Sequence, residues 1–445
     1  MIIAAQRGAE RARSRAIGIA VLSALCLAAC GTGSGGSVPA ARQGPYSDLT
    51  GQTLEVAAAW SGTEQDRFSQ VLRLFEQRTG ATTTFTSTGD ELSTVVGTRL
   101  KGGRPPDVVI LPNPSLLGQY AAQGALVPAS EPVQAAVDRY FAPVWKALGS
   151  VDGTLYGVWF KVAYKSTVWY RTAAFDQAGV QEPKTWDEFL RGAQTLADAG
   201  TTPLSIAGAD GWTLTDWFEN VYLRTAGARK YDQLTRHEIR WTDESVRTAL
   251  STLARLWARK DLLVPNALQT DFPTSVTQVF ADSPKGAIVF EADFVAGVIN
   301  SQTTSKAGED AKYFDFPSVG GSAGAGLFGG DVAVALTDTN GAQELLRFLA
   351  SPEAAEVWAR QGGYVSANKA LAASAYPDDT TRRVARTVAG AGDGWRFDMS
   401  DQTPAAFGNT PGGGEWKILQ DFLDNPADVD ATAGRLEAAA AAAYR

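Results

Sequence analysis

The sequence predicts an α/β protein with two lobes, each built on a sheet of parallel strands with helices on both faces. Short apolar segments rich in β-branched residues alternate with amphipathic helices from residue 54 onward. The same alternation restarts in the middle of the chain, which indicates a second lobe. The chain has 445 residues, of which the first 29 are predicted below to be a removable leader. The remaining 416 residues are enough for two or more domains.

Three strands are predicted in the first part of the chain. They are 54–59, 81–86 and 108–111, and the helix after the first carries Phe68, Val71, Leu72 and Phe75 on one face. Ligands of such sheets bind at the loops beyond the carboxyl ends of the strands. Those loops are Trp60 to Glu64, Ser87 to Asp90, and Pro112 to Ser115.

The second part of the chain shows the same kind of pattern. Thr185 and Glu188 have capping-box spacing and predict a helix start. Further strands are predicted at 157–160, 167–171, 203–206, 287–291 and 331–336, and further helices at 241–262, 342–350, 352–361 and 416–423. The glycine-dense segment 320–330 is predicted to be a mobile loop.

The N-terminus has the pattern of a signal peptide. An arginine-rich start precedes an uncharged run from Ala16 to Ala29, which is too short to span a membrane. The run ends in Leu27-Ala28-Ala29-Cys30, which looks like a bacterial lipobox, so Cys30 is expected to be diacylated after removal of residues 1–29. Residues 30–50 then form a flexible tether. The alternative is an ordinary secretory signal with a chance cysteine.

Composition excludes several classes of function. The whole chain has a net charge of −8 and the predicted leader +3, so the mature protein, at −11, is not expected to bind nucleic acid. The only cysteines are Cys26, in the leader, and the lipidated Cys30, and His237 is the only histidine. Zinc, copper or haem sites built from such ligands are therefore not expected, and neither is a cofactor.

Two motifs in the glycine-dense segment resemble enzyme signatures. Residues 320–324 match G-x-S-x-G, but His237 precedes the serine, whereas the hydrolase order requires a later histidine. Gly324, Gly326 and Gly329 match a dinucleotide fingerprint, yet a predicted strand follows them where a helix is needed. Neither motif has the context that its chemistry requires.

Aromatic and polar residues at strand ends are the candidates for ligand contact, because small-molecule sites combine flat aromatic faces with a few polar groups. Trp60 and Glu64 follow the first strand, and Asp90 and Asn113 the second and third. Trp60 could instead be a core residue. Glu64, Asp90 and Asn113 could instead cap helices, Glu64 through the S-x-x-E spacing from Ser61.

Glu291 and Asp293 end a predicted apolar strand two residues apart, so strand alternation puts both on one face. That face is either the cleft or an edge. Two such carboxylates also suit a glycosidase.

A series of short motifs then follows in a characteristic order. They are Trp60 to Gly62, Phe75-Glu76 with Thr79-Gly80, Pro106 to Val109, Gln123 to Pro128, Leu155 to Val158, Pro183 to Glu188, Gly329 to Asp331, and Leu349 to Ala355. Their order and spacing, over nearly the whole mature chain, resemble the extracytoplasmic binding proteins of carbohydrate ABC importers, the class that includes maltose-binding protein.

The resemblance implies two α/β lobes that enclose a ligand and are joined by chain crossings near 156–161, 330–334 and 364–369. Lobe one would comprise residues 51–157 and 332–364, and lobe two residues 158–331 and 365–445. By position in the family, the ligand contacts would include Trp212, Asp216, Gly330, Asp331, Tyr364 and Trp416. Gly330 would also let a sugar approach the backbone closely.

The expected function is capture of a sugar outside the cell and delivery to ABC permease subunits, by a monomer that contacts the membrane through its lipid. The positions of Trp212, Asp216 and Asp331 favour a di- or oligosaccharide of the α-glucoside type. The alternatives are a secreted glycoside hydrolase that uses Glu291, and the same fold with a polyamine, amino acid or phosphate ester as ligand.

Overall fold

The computed structural model describes residues 45–322, 324–390 and 394–445. The predicted signal peptide, Cys30 and residues 30–44 of the tether lie outside the described residues. The strands are β1 (Thr53–Ala58), β2 (Thr82–Ser87), β3 (Val108–Leu111), β4 (Ser150–Val151), β5 (Thr154–Leu155), β6 (Gly157–Tyr164), β7 (Thr167–Arg171), β8 (Leu204–Ser205), β9 (Ile288–Phe290), β10 (Ala311–Asp315), β11 (Gly326–Ala335) and β12 (Trp395–Phe397).

The shortest α-helix has four residues, and the longest, Trp212–Thr235, is interrupted at Gly227, whose backbone angles are not helical. They are α1 (Gly62–Thr79), α2 (Leu92–Lys101), α3 (Pro114–Ala122), α4 (Glu131–Tyr140), α5 (Pro143–Leu148), α6 (Thr172–Ala178), α7 (Trp186–Asp198), α8 (Trp212–Thr235), α9 (Glu244–Trp257), α10 (Phe272–Phe280), α11 (Val295–Gln302), α12 (Asn340–Leu349), α13 (Pro352–Ala359), α14 (Asp379–Ala389), α15 (Ala405–Gly408), α16 (Gly414–Asp424) and α17 (Val429–Ala443). In the described part of the chain, none of them is both long and apolar enough to cross a membrane.

The first sheet has the strand order β12-β11-β3-β1-β2, and β6 pairs with β11. Strand β1 runs parallel to β2 and to β3, with Val56 opposite both Phe85 and Val108. The carboxyl ends of these three strands therefore lie at one edge, as the alternation of strands and helices predicts. Strand β11 runs antiparallel to β3 and β6, so this sheet is mixed.

The second sheet has the order β10-β7-β9-β8. The prediction of a parallel sheet is wrong here, because β7 runs antiparallel to both β10 and β9, and only β8 and β9 are parallel. Two residues separate the end of β6 from the start of β7, and the two strands belong to different sheets.

Two long strands of the first sheet, β6 and β11, lie next to strands of the second sheet along the chain. All eight residues of β6 are buried, and the strand leads directly into β7. Strand β11 pairs with β6 over most of its length, with an irregularity between Asp331 and Val332. The third predicted crossing also meets β6, because Val162 donates its backbone N–H to the carbonyl of Val365.

The glycine-dense segment differs from its predicted form. Its last residues, from Gly326, belong to β11 and are buried, whereas the described residues from 320 to 325 lie outside helices and strands. The glycines fit close packing: a Cβ on Gly326 would lie 2.8 Å from the ring of Trp395, and one on Gly330 would lie 2.5 Å from the carbonyl oxygen of Lys161.

The described residues form three hydrophobic cores, and the third packs Trp169, Val289 and Tyr313 of the second sheet against α10 and α11. The first core surrounds β1, β3 and β11 with Phe68 and Phe75 of α1, as their spacing predicts. The second core surrounds β7 and β9 with the apolar face of α9 and with Trp217. Helix α7 begins with the predicted capping box, in which Thr185 and Glu188 exchange hydrogen bonds with each other's backbone N–H groups.

Candidate ligand-binding site

A cavity of about 270 Å³ opens at the carboxyl ends of β1, β2 and β3 and faces residues that follow the second sheet. Its walls combine aromatic rings, carboxylates and two lysines. The lining residues are Ala59, Trp60, Glu64, Gly89, Leu92, Ser93, Pro112, Asn113, Leu116, Lys161, Ala163, Lys165, Trp212, Phe272, Phe294, Gly330, Asp331, Ser400, Asp401, Ala405, Asn409 and Trp416.

The structure brings together seven of the twelve residues that the sequence singles out as ligand contacts. They lie on elements as far apart in sequence as the start of α1 and the start of α16, yet all line this one cavity. The seven are Trp60, Glu64, Asn113, Trp212, Gly330, Asp331 and Trp416. All three predicted loops contribute lining residues.

Glu64 and Asn113 could each either cap a helix or contact the ligand, and the structure gives them different roles. Ser61 makes no side-chain capping bond, and the Glu64 carboxylate instead accepts a 2.5 Å hydrogen bond from Lys161 Nζ. Asn113 does cap α3, because its Oδ1 accepts from the backbone N–H of Leu116 at 2.9 Å. Asn113 therefore shapes the cavity while its acceptor oxygen holds the helix start.

Four predicted contacts lie outside the cavity lining. Tyr364 is fully buried and donates its hydroxyl to the carbonyl of Phe160 at 2.7 Å. Asp293 is also buried and accepts from the backbone N–H of Tyr164 at 2.6 Å. Glu291 and Asp216 are buried behind the wall, and β9 ends at Phe290, so the strand alternation that put Glu291 and Asp293 on one cleft-facing surface does not extend to them.

Asp90 lies in the short 3-10 segment Gly89–Glu91, and nothing is described of its side chain. The neighbouring Gly89 does line the cavity.

Lys161 is the first cavity residue that sequence reasoning missed. Its ammonium group lies 2.5 Å from Glu64 and 3.8 Å from Asp331, with only 6% of the side chain exposed. Burial alone lowers the pKa of a lysine, but Glu64 and Asp331 outweigh this effect and raise the pKa of Lys161. The group therefore stays charged at neutral pH.

Lys165 is the second missed residue. Its ammonium group contacts the carboxylate of Asp398 and lies 3.2 Å from Asp216 and 3.9 Å from Asp401. Burial opposes its charge, yet these carboxylates raise its pKa well above the ordinary value. Asp216 thus acts on the cavity through Lys165 rather than by lining it.

Lys161 and Lys165 both line the cavity because they lie on the same side of extended backbone. Residues 161, 163 and 165 all line it, and alternate residues of an extended strand point to the same side. The available signal was a pair of lysines in an otherwise apolar strand, because lysines are almost never buried without a partner.

The carboxylates next to Lys165 are not all ionised. Burial raises the pKa of Asp216 to about 8, against the opposing effect of Lys165. Burial and the neighbouring Asp398 raise the pKa of Asp401 well above its ordinary value. The pKa of Asp398 is lowered because Lys165 outweighs its burial, so Lys165 and Asp398 form the charged pair at neutral pH.

Aromatic rings form the rest of the wall. The Trp60 ring packs edge to face against Phe68 and Trp358, each with 4.9 Å between ring centroids. The Trp212 ring lies 5.6 Å from Phe272 and 6.1 Å from Phe294, and Trp416 packs near the start of the same helix, α8. Rings on several sides with polar groups between them can hold a molecule that has both apolar faces and hydroxyl groups.

Comparisons with known proteins agree on one family. The model described as bacterial extracellular solute-binding protein matches residues 59–356. The osmoprotective compounds-binding protein GgtB of Synechocystis sp. is 31% identical over 392 residues, which cover 86% of this chain and 91% of the relative. The alpha-glucosides-binding periplasmic protein AglE of Rhizobium meliloti is 32% identical over 406 residues and 87% of each chain.

The fold also matches solved structures. The bacterial solute receptor AcbH, described with a preference for β-D-galactopyranose, superposes with a TM-score of 0.77 at 20% identity, over 88% of this chain and 100% of the receptor. At this identity the match shows a shared fold.

Proposed function

The chain belongs to the family of bacterial extracellular solute-binding proteins, and on that premise we propose that its cavity binds a di- or oligosaccharide of the α-glucoside type. The bound sugar would then pass to the permease subunits of an ABC importer. AglE, whose name states alpha-glucosides, supports this ligand class, and GgtB, whose name states osmoprotective compounds, widens it to small solutes of that kind.

The observation that carries the proposal is the grouping of Trp60, Trp212 and Trp416 around one cavity. Indole faces pack against the C–H faces of pyranose rings. Trp212 is the most exposed of the three, whereas Trp60, which also belongs to the first core, and Trp416 are 6% and 8% exposed and border the cavity with part of their rings. Between them lie the ion-paired groups of Lys161 and Glu64, which can donate to and accept from hydroxyl groups.

The hydrolase alternative does not apply to this chain, which is a solute-binding protein by family. Glu291, its proposed acid or base, is 1% exposed and does not line the cavity.

Two lobes that close on the ligand are part of the proposal, with the boundaries 51–157 plus 332–364 and 158–331 plus 365–445. Strands β6 and β11 would carry the hinge, since both run past the cavity and continue beyond it. Closure requires that the ligand contact the closed state more favourably than the open one.

We further propose attachment to the outer face of the cell membrane through diacylated Cys30, by a monomeric protein. The lipobox-like sequence and the Gly/Ser-rich residues after it support this attachment.

Isothermal titration calorimetry of the purified mature protein tests the ligand class. Maltose, trehalose and sucrose represent α-glucosides, and spermidine, glutamate and glucose 6-phosphate represent the non-sugar alternatives. Micromolar or tighter binding of an α-glucoside, and of none of the charged solutes, is expected. Binding of a charged solute alone would overturn the proposal.

A further inference from the structure

The cavity wall combines carboxylates with aromatic rings. Glu64, Asp331 and Asp398 place carboxylates at or beside its wall, next to the rings of Trp60, Phe294 and Trp212. Carboxylates beside aromatic faces are the arrangement that recognises an ammonium ligand, through ion pairing and cation–π attraction. Without a cation of the protein beside these carboxylates, the cavity would favour a cationic ligand over a neutral sugar.

Lys161 fills this position with a group of the protein itself. Its Nζ lies 5.7 Å from the ring centroid of Trp60, 5.5 Å from that of Phe294 and 5.6 Å from that of Trp358. The same ammonium holds Glu64 at 2.5 Å and Asp331 at 3.8 Å. The site of an external ammonium group is therefore occupied.

Lys165 repeats the arrangement further along the cavity. Its Nζ lies 5.7 Å from the ring centroid of Trp212 and contacts Asp398. Among the described lining residues, Lys161 and Lys165 are the only cations.

We propose that Lys161 and Lys165 determine the specificity of this cavity, as built-in ammonium groups that neutralise its carboxylates, so that it accepts uncharged polyhydroxy ligands and excludes cations. The choice of a sugar as that ligand rests on the proposed function, whereas the exclusion of cations rests on the two lysines. The carboxylate of Asp331, farther from Lys161 than Glu64, remains an acceptor for a ligand hydroxyl.

Exchange of Lys161 for methionine tests the proposal. Lys161→Met keeps most of the side-chain volume and leaves Glu64 and Asp331 without their cation, beneath three rings. Calorimetry at pH 7 with maltose and with choline should show at least a tenfold loss of maltose affinity and a gain of millimolar or tighter choline binding. The wild-type protein should bind maltose and no choline.

Three controls complete the experiment. Lys312→Met removes an exposed lysine of β10, outside the cavity, and should change neither affinity. Lys161→Arg keeps the charge and should not bind choline. The triple variant Lys161→Met with Glu64→Gln and Asp331→Asn removes both unpaired carboxylates and should lose the choline binding of the single variant.

The outcomes separate this inference from the proposed function. Choline binding by the wild-type protein overturns the inference even if no variant folds. Wild-type maltose affinity in Lys161→Met, without choline binding, overturns it while the sugar proposal stands. Choline binding gained by Lys161→Met in a protein that binds no sugar supports the inference and overturns the sugar proposal.

Discussion

The indole of Trp416 packs directly on the α-carbon of Gly211. A Cβ at Gly211 would lie 2.8 Å from the Cβ of Trp416 and 3.0 Å from its Cγ, and Gly211 has a φ of +79°. Gly211 is also the residue before α8, whose first residue is Trp212. One glycine thus permits two cavity tryptophans to take their places.

Gly211→Ala should therefore weaken ligand binding more than it weakens the fold. The new methyl group displaces Trp416 and strains a left-handed backbone position, at a cost of about 1–2 kcal/mol in the free energy of unfolding. We expect at least a tenfold loss of sugar affinity by calorimetry. Gly97→Ala, in the helical interior of α2 with open space around it, is the control and should preserve affinity.

Trp212→Ala should reduce sugar affinity by about two- to tenfold, because an aromatic face contributes on the order of 0.5–1.5 kcal/mol to such contacts. Trp212→Phe keeps a smaller face and should retain part of that affinity. Thermal melting reports whether each variant is folded. An unchanged dissociation constant in Trp212→Ala would remove this residue from the ligand site.

Stability should fall as pH rises from 5 to 8. Burial raises the pKa of Asp331 to about 6, of Asp293 to about 7 and of Asp216 to about 8, from an ordinary value of 3.8. The folded state then binds more protons than the unfolded state between those values, so it loses stability as pH increases through them. We expect a loss of several kcal/mol in urea unfolding, because Asp293 alone, with a pKa about two units above pH 5, accounts for about 3 kcal/mol.

Asp216→Asn is the matched variant for this pH dependence. Asparagine does not titrate, so the variant should lose less stability between pH 5 and pH 8 than the wild-type protein does. A wild-type stability that instead increases over this interval would contradict the protonation of the buried carboxyls.

Cys30→Ser should abolish attachment to the membrane, because the lipobox interpretation makes Cys30 the acylated residue. The measurement is the distribution of the protein between membrane and soluble fractions, with incorporation of labelled palmitate as a second readout. Cys26→Ser alters a residue of the predicted leader and should leave both readouts unchanged. A wild-type protein that takes up no palmitate and stays in the soluble fraction would favour an ordinary secretory signal.

Binding should make the molecule more compact if the two predicted lobes close on the ligand. Small-angle scattering should show a radius of gyration that decreases on addition of saturating sugar. A ligand that binds calorimetrically without this decrease would mean that the lobes do not move.

The sequence predicted best those features that a single strand or helix determines. Strand β3 has its predicted bounds at Val108 and Leu111, and Asn113 and Pro114 begin the next helix as predicted. Parallel strands with short loops bring their carboxyl ends together, so Trp60, Gly89 and Asn113 could be assigned to one edge before their contacts were known.

The remainder depended on contacts between distant segments. Lys161 and Lys165 acquire their roles only because Glu64 and Asp398, 97 and 233 residues away in sequence, lie beside them. For Glu291 and Asp293, alternation could relate the two residues to each other, but only tertiary packing decides whether their side faces solvent, a cavity or the core.

The extended backbone between Lys161 and Lys165 also sets a length. Four residues of a strand span about 13 Å, so the α-carbons of the two lysines are held at that separation regardless of side-chain motion. On the proposed function, a single pyranose ring is shorter than this separation, whereas a ligand of two or more rings can extend from the surroundings of one lysine to those of the other. The strand would then favour ligands by their length rather than by the identity of any single sugar unit.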